Sequence, residues 1–179
     1  MKECVCGLDC SACSQFGAAC PGCAALKGRV CWTPALDIDC CSIYQCAESK
    51  GLAHCGFCTE LPCDIWRTLR DPAQNEEAFQ ESLQARIKAL HQRTLKESDL
   101  LQIPGVGKTI AENLINIGCP TVASLRGKDP EELYAKDCAY KGFQEDRCLL
   151  YVSRLAVYYA DNETHDPDQL KWWNWKDRT

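Results

Sequence analysis

Cysteine pairs separated by two residues dominate the start of the chain. Thiolates bind zinc or iron when several sulfur atoms reach one ion, and a gap of two residues lets both sulfurs of a pair face the same metal. The chain has 179 residues and 16 cysteines, and thirteen of these lie within the first 63 positions. The closely spaced pairs are Cys10 and Cys13, Cys20 and Cys23, and Cys55 and Cys58. This pattern predicts a metal-binding module.

We expect the metal ligands among ten cysteines. Six form the three pairs, Cys6 and Cys63 lie close to a pair in sequence, and Cys41 and Cys46 are separated from each other by four residues. The predicted ligands are Cys6, Cys10, Cys13, Cys20, Cys23, Cys41, Cys46, Cys55, Cys58 and Cys63. Four thiolates per ion would allow up to three sites, and about two zinc ions are expected. The roles of Cys4, Cys31 and Cys40 stay open. His54 could substitute as a ligand, although we expect it to lie on the surface.

Spacing alone does not distinguish zinc from an iron–sulfur cluster. Residues 6–13 have the cysteine spacing of the cluster loop in radical S-adenosylmethionine enzymes, but those enzymes need a barrel several times larger than this segment. A bacterial ferredoxin run requires C-x2-C-x2-C-x3-C-P, and Cys20-Pro21 matches only its ending. Zinc is therefore favoured, with an iron–sulfur cluster as the alternative cofactor.

Residues 4–70 resemble a cysteine-rich prokaryotic domain of unknown function. Its members begin with C-G-x-x-C-x-x-C, continue to C-x-G-C and end with C-x2-C-x3-P-C. Residues 6–13, 20–23 and 55–63 match these three motifs. The resemblance implies a metal-binding module and says nothing about a reaction.

Composition and charge limit the class of protein. The formal net charge is −5, so bulk charge does not support binding to phosphate groups. The sequence has no apolar run of 18 residues and no apolar stretch at its start that is typical of a signal peptide. We therefore expect a cytoplasmic protein that does not contact membranes and whose thiols stay reduced.

Three segments must position these residues, and together they predict a mainly α protein. Residues 1–70 form a small, irregular domain stapled by metal, with helical turns near residues 41–50. Residues 71–96 form a linker helix over about 75–92, whose apolar face carries Phe79, Leu83, Ile87 and Leu90. Residues 97–179 form an all-helical domain. Its predicted helices cover 108–117, a stretch after Asp129-Pro130, and about 144–160.

A glycine-rich turn in the third segment predicts an anion site. Residues 100–114 suit two short helices joined by a Gly-x-Gly turn, so that the backbone N–H groups at the start of the second helix point outward. A lysine beside the turn would add positive charge to a bound phosphate. The residues predicted to contact nucleic acid are Gly105, Val106, Gly107, Lys108 and Thr109.

This turn resembles the helix-hairpin-helix motif, and residues 97–177 resemble the helix-hairpin-helix proteins labelled pathogenicity-locus or mitomycin-resistance-like. Residues 129–134, 146–152, 156–160 and 170–175 carry the resemblance. It implies a helical fold and contact with the DNA backbone without base reading. The charge opposes this, because the chain from residue 96 on has 11 basic and 14 acidic side chains. A hairpin that only packs helices or docks a protein is the alternative.

The sequence shows no credible catalytic triad, and the three histidines lie in unrelated contexts. We therefore expect a non-enzymatic metal-binding protein with weak, sequence-independent nucleic-acid binding. The alternatives are a protein-interaction adaptor or a metal or redox sensor, and an iron–sulfur redox protein.

We expect Trp172, Trp173 and Trp175 to pack a last short helix against the core in preference to stacking bases. We expect Cys119, Cys138 and Cys148 to be small buried apolar residues.

Overall fold

The computed structural model describes residues 4–177, apart from the side chain of Ala12. The chain forms two compact units, and the boundary between them falls between Arg93 and Thr94. Regular structure in the described residues is helical, with no β-strand, which confirms the predicted mainly α fold. No helix in this part of the chain is both long enough and apolar enough to span a membrane.

Long irregular loops and three α-helices make up the first unit. The helices are α1 (Ser42–Ser49), α2 (Asp64–Thr68) and α3 (Glu76–Glu97), and α3 continues across the boundary into the second unit. Asn75 caps α3, because its Oδ1 accepts a hydrogen bond from the Ala78 N–H at 2.8 Å. The predicted helix end near residue 92 is too early, because α3 continues to Glu97.

The apolar face of α3 packs against cysteine-bearing loops. Phe79, Leu83 and Leu90 are buried on this face, as the spacing predicts. A Cβ on Gly7, whose φ is +70°, would lie 2.6 Å from the Arg86 carbonyl oxygen, so the first loop packs directly on the α3 backbone. The buried cluster contains Cys4, Cys6, Cys41, Ile43, Ala47, Cys55, Trp66, Leu83 and Leu90.

The second unit has α4 (Lys108–Asn116), α5 (Pro130–Lys141) and α6 (Arg147–Asp161) around an aliphatic interior. The Asp129 carboxylate caps α5 and accepts hydrogen bonds from the Glu131 and Glu132 N–H groups, which confirms the predicted start. The predicted start of the next helix at residue 144 or 145 is wrong. Asp146 caps α6 by accepting from the Cys148 N–H at 2.7 Å, so the helix begins at Arg147.

The aromatic tail Trp172–Trp175 is a short 3-10 helix. Trp172 and Trp175 pack against the core of the second unit, as expected, and the Trp175 indole N–H donates to the Gln169 carbonyl at 2.8 Å. Trp173 departs from the expectation, because 51% of its surface is exposed. Its ring meets the Trp172 ring edge-on, with centroids 5.8 Å apart.

The three scattered cysteines do not share one environment. Cys119 is buried in the aliphatic core, as predicted, and Cys138 is half-buried. The prediction is wrong for Cys148, which is exposed. It lies in the first turn of α6, two residues after the cap Asp146, and is not part of the buried core.

Candidate metal centre and hairpin

Four thiols meet near the start of the chain, and we call them the first thiol group: Cys4, Cys6, Cys10 and Cys23. Cys4 Sγ lies 2.7 Å from Cys10 Sγ and 3.6 Å from Cys23 Sγ. The Cys6 thiol also interacts directly with Cys4. Two sulfurs on one tetrahedral zinc, each about 2.3 Å from the metal, are about 3.8 Å apart. The separation of Cys4 and Cys23 is close to that value.

Local turns hold the first thiol group in place. The Asp9 carboxylate accepts from the Ser11 N–H at 2.9 Å and starts the 3-10 turn that carries Cys10. The Cys4 carbonyl accepts from the Gly7 N–H, and the Cys55 N–H donates to the Val5 carbonyl at 2.8 Å. The loop is therefore tied to itself and to the later cysteine-bearing segment.

A second set of four thiols surrounds a small cavity, and we call it the second thiol group: Cys46, Cys55, Cys58 and Cys63. The cavity measures about 20 Å³, close to the space of one water-sized sphere. Helix α1 carries Cys46, and the other three follow in the segment before α2. Lys50 Nζ lies 3.9 Å from Cys58 Sγ, so a positive charge faces this group.

The other predicted ligands lie outside these two groups. Cys20 and Cys31 interact through their thiols, and Cys13 lies near Cys31. Cys41 is buried beside Cys6. The thiol contacts therefore link Cys10 and Cys23 to Cys4, and Cys13 and Cys20 to Cys31, although Cys10 and Cys13, and Cys20 and Cys23, have knuckle spacing. The spacing-based ligand set also omits Cys4, because one intervening residue between it and Cys6 gives no knuckle signal.

Protonation opposes metal binding at the first thiol group. The interaction with the Cys23 thiol, followed by burial, raises the pKa of Cys4 above its ordinary value. Cys4 and burial raise the pKa of Cys6, whereas the Arg86 guanidinium opposes that shift. Metal ligands are thiolates, so an ion must displace these protons. In the second group, burial raises the pKa of Cys55 to about 12.

The thiols are gathered but not arranged around an ion. Within residues 4–177, no set of three or more Cys, His, Asp or Glu side chains has a geometry ready to hold a metal. In the first group, the Cys4 and Cys10 sulfurs would have to separate by about 1 Å to share a zinc ion. The chemistry of the donors fits a soft metal such as zinc.

His54 is buried, so the expectation of a surface histidine is wrong. Its Nδ1 accepts a hydrogen bond from the Gly56 N–H at 3.1 Å and caps the 3-10 turn Cys55–Phe57. Its ring lies 4.7 Å from the Phe57 ring. Because Nδ1 is occupied, this nitrogen positions the segment that carries Cys55 and is not available as a metal ligand.

The predicted anion site is an exposed turn in front of α4. Gly105 has a φ of +83°, and a Cβ there would lie 3.5 Å from Trp172 Cδ1. Gly107 differs, because its φ of −84° suits any residue and a Cβ would meet nothing within 4 Å. The Val106 side chain is 5% exposed and its N–H donates to the Ile103 carbonyl, so this residue faces inward.

The start of α4 faces solvent, and the basic side chains of this unit differ in how near they lie to it. Gly107 caps the helix without a side-chain hydrogen bond, and Lys108 and Thr109 are exposed. Lys141 is paired with Asp137 at 3.0 Å. Lys128 and Lys136 lie near Cys119, which follows the opposite end of α4. Lys176 lies closer to the turn, because its Nζ is 5.8 Å from the centre of the Trp172 ring that packs against Gly105.

The chain matches two families and one curated relative. Residues 93–179 match the family described as Pathogenicity locus (Cdd1), and residues 15–68 match the family described as Protein of unknown function (DUF3795). Mitomycin resistance protein McrB of Streptomyces lavendulae is 36% identical over 78 residues, which are 44% of this chain and 70% of that protein. The chain belongs to the pathogenicity-locus and mitomycin-resistance-like family. No solved structure matches it.

These matches confirm the two-part description that the motifs predict. A cysteine-rich domain comes first, and a pathogenicity-locus domain follows it. The first matched range begins at residue 15, so Cys4, Cys6 and Cys10 precede it although the fold brings them to Cys23.

Proposed function

We propose that this pathogenicity-locus family member is a zinc protein whose N-terminal unit holds about two ions. The grouping of eight thiols into two sets of four carries the proposal. Four sulfurs are the number that a structural zinc site uses. The proposed ligands are Cys4, Cys6, Cys10 and Cys23 for the first ion and Cys46, Cys55, Cys58 and Cys63 for the second.

The composition of the first unit supports this proposal. Four of the nine residues in its buried cluster are cysteines, so little aliphatic surface is available for burial. A structural zinc contributes on the order of 10 kcal/mol to folding when the unfolded chain has no site. Zinc would also join the cysteine-bearing loops to one another.

Elemental analysis and a visible spectrum of the full chain test the proposal. We expect colourless protein with about two zinc ions per chain. Cys4→Ser and Cys55→Ser should each remove one ion, whereas the exposed Cys148→Ser should remove none. Cys4 is the decisive position, because the spacing of the motifs leaves it out. Iron with absorption near 400 nm, characteristic of a cluster, would contradict zinc and favour the redox alternative.

As a second function, we propose weak, sequence-independent contact between the α4 turn and the backbone of a nucleic acid. Gly107 supports this, because neither its backbone angles nor its neighbours require glycine. A residue without a side chain in front of unbonded helix N–H groups suits a closely approaching phosphate. Lys108 would add one positive charge, and the exposed Trp173 lies on Trp172, which packs against Gly105.

Fluorescence anisotropy with labelled single- and double-stranded oligonucleotides at low salt tests this contact. Lys108→Ala should weaken binding and lower the salt slope by about one, whereas Lys128→Ala, near the other end of α4, should not. Gly107→Ala should weaken binding without changing the melting temperature. Absence of salt-dependent binding to DNA and RNA would contradict the proposal and leave the hairpin as a packing or protein-docking element.

A further inference from the structure

We propose that a cavity in the first unit binds a small molecule with an apolar aromatic body and one anionic group. The cavity measures about 600 Å³ and lies between the cysteine-bearing loops, the segment after α2 and helix α3. Small-molecule sites commonly measure about 300–1,000 Å³ and are lined mainly by apolar side chains. Cys6, a proposed zinc ligand, forms part of its wall, but the rest of the cavity belongs neither to the proposed zinc sites nor to the α4 turn.

Apolar side chains supply most of the wall. Phe79 and Ile43 are buried, whereas Leu8 is 47% exposed and Trp32 is 37% exposed. Large side chains exposed along a concave wall lose contact with water when an apolar ligand covers them, which favours binding. The aromatic rings of Trp32 and Phe79 also suit a planar ligand, because stacked or edge-on rings attract each other.

The charged side chains along the wall favour an anion. Arg86 Nε donates to the Cys6 carbonyl at 3.1 Å, and its guanidinium lies 4.3 Å from the Trp66 ring centre. These contacts fix the guanidinium before a ligand arrives, which favours a charge-assisted contact. Arg70 also lines the cavity and pairs with Glu76 outside it, whereas Asp71 is the acidic residue of the wall. Because Glu76 already neutralises Arg70, the Arg86 guanidinium is the group on which an anionic ligand would rely.

The choice of an anionic ligand follows from Arg86. A neutral apolar ligand would cover this guanidinium without offering its charge an anionic partner, and burying a charge in that way costs free energy. An anionic group on the ligand would supply that partner. The ligand class is therefore an aromatic molecule with a carboxylate, sulfonate or similar group at one end.

Two matched fluorescent probes test this inference on the full chain. 1-Anilinonaphthalene-8-sulfonate has an aromatic body with a sulfonate, and N-phenyl-1-naphthylamine has the same body without it. We expect the sulfonate probe to bind with one-to-one stoichiometry and a Kd about tenfold lower than that of the neutral probe. Arg86→Gln should remove most of this difference, and Arg70→Gln should reduce it.

A cavity-filling pair of variants locates the binding. Ser82 on α3 lines the cavity, so Ser82→Phe should weaken binding of the sulfonate probe at least about tenfold. Gln84 lies on the same helix, is exposed and does not line the cavity, so Gln84→Phe should leave binding unchanged. Several probe molecules per chain, no binding, or equal effects of the two variants would overturn the proposal, because each result places no ligand in the cavity.

Discussion

The buried cluster of the first unit contains four cysteines among nine residues, whereas that of the second contains one among fourteen. In the second unit, leucine, isoleucine, valine and alanine from three helices fill the interior, and their burial supplies the stability. In the first unit, thiols take up nearly half of the buried cluster. Small thiols bury less apolar surface than leucine, so this unit needs another source of stability, and metal–sulfur bonds are the chemistry that its side chains offer.

Metal removal gives the largest expected effect of this comparison. A strong chelator with a reductant should unfold the first unit and leave the second folded, because all the proposed zinc ligands lie in the first unit. Hydrogen exchange followed by peptide should show loss of protection in residues 4–75 and retained protection in α4, α5 and α6. Cooperative unfolding of both units, or no change in either, would contradict the difference between the two cores.

Truncation of an aliphatic side chain tests whether the second unit depends on its apolar core. Leu155 is fully buried in the second unit, so Leu155→Ala should lower the free energy of unfolding of that unit by about 2–5 kcal/mol. Zinc content should not change, because none of the proposed ligands lies there. Leu101→Ala is the control, since Leu101 is 46% exposed, and its effect should stay within about 0.5 kcal/mol. Thermal unfolding followed by circular dichroism measures both variants.

A smaller effect is expected where the cysteine-bearing loop contacts α3. Gly7→Ala should destabilise the first unit by about 1–3 kcal/mol, because the new Cβ would overlap the Arg86 carbonyl. Gly51→Ala provides the matched control, because Gly51 also has a positive φ, +64°, but open space around it. Denaturant unfolding gives the free energy of unfolding of each variant. The difference between them measures the cost of the overlap with Arg86, because both variants carry the backbone strain of a positive φ. Equal effects would show that the loop does not press on α3.

Loss of one helix cap gives the smallest expected effect. Asp129→Ala should destabilise the second unit by about 1 kcal/mol, because two N–H groups of α5 lose their acceptor. The first unit and its metal content should be unaffected. Asp129→Asn should retain most of the stability, since its side-chain oxygen can still accept. Equal losses in the two variants would mean that the carboxylate acts through charge and not through the cap.

Local features were predictable to the extent that they depend on neighbouring residues. The start of α5 follows from Asp129-Pro130, and the buried face of α3 follows from apolar residues three and four positions apart. The end of α3 was predicted too early, because its last turns have no strong local stop signal. The start of α6 was predicted too early because Asp146, and not an earlier residue, supplies the cap.

Groupings between distant residues were not predictable from spacing. Cys4 and Cys23 are 19 positions apart, and Arg86 reaches the Cys6 carbonyl across 80 positions. The burial of His54 depends on a backbone N–H that it caps and on the segments that cover it. The different exposure of Trp172 and Trp173 depends in the same way on which ring meets the core.

The sequence by itself therefore determined the helical class, the division into a cysteine-rich part and an aliphatic part, and the family of the chain. Composition and short-range periodicity carry that information, because they act through neighbouring residues. Only the tertiary structure decided which thiols meet, which glycine of the hairpin the fold requires and where a cavity opens. Those outcomes depend on contacts between segments that lie far apart in the sequence. Such contacts form only when the whole unit folds.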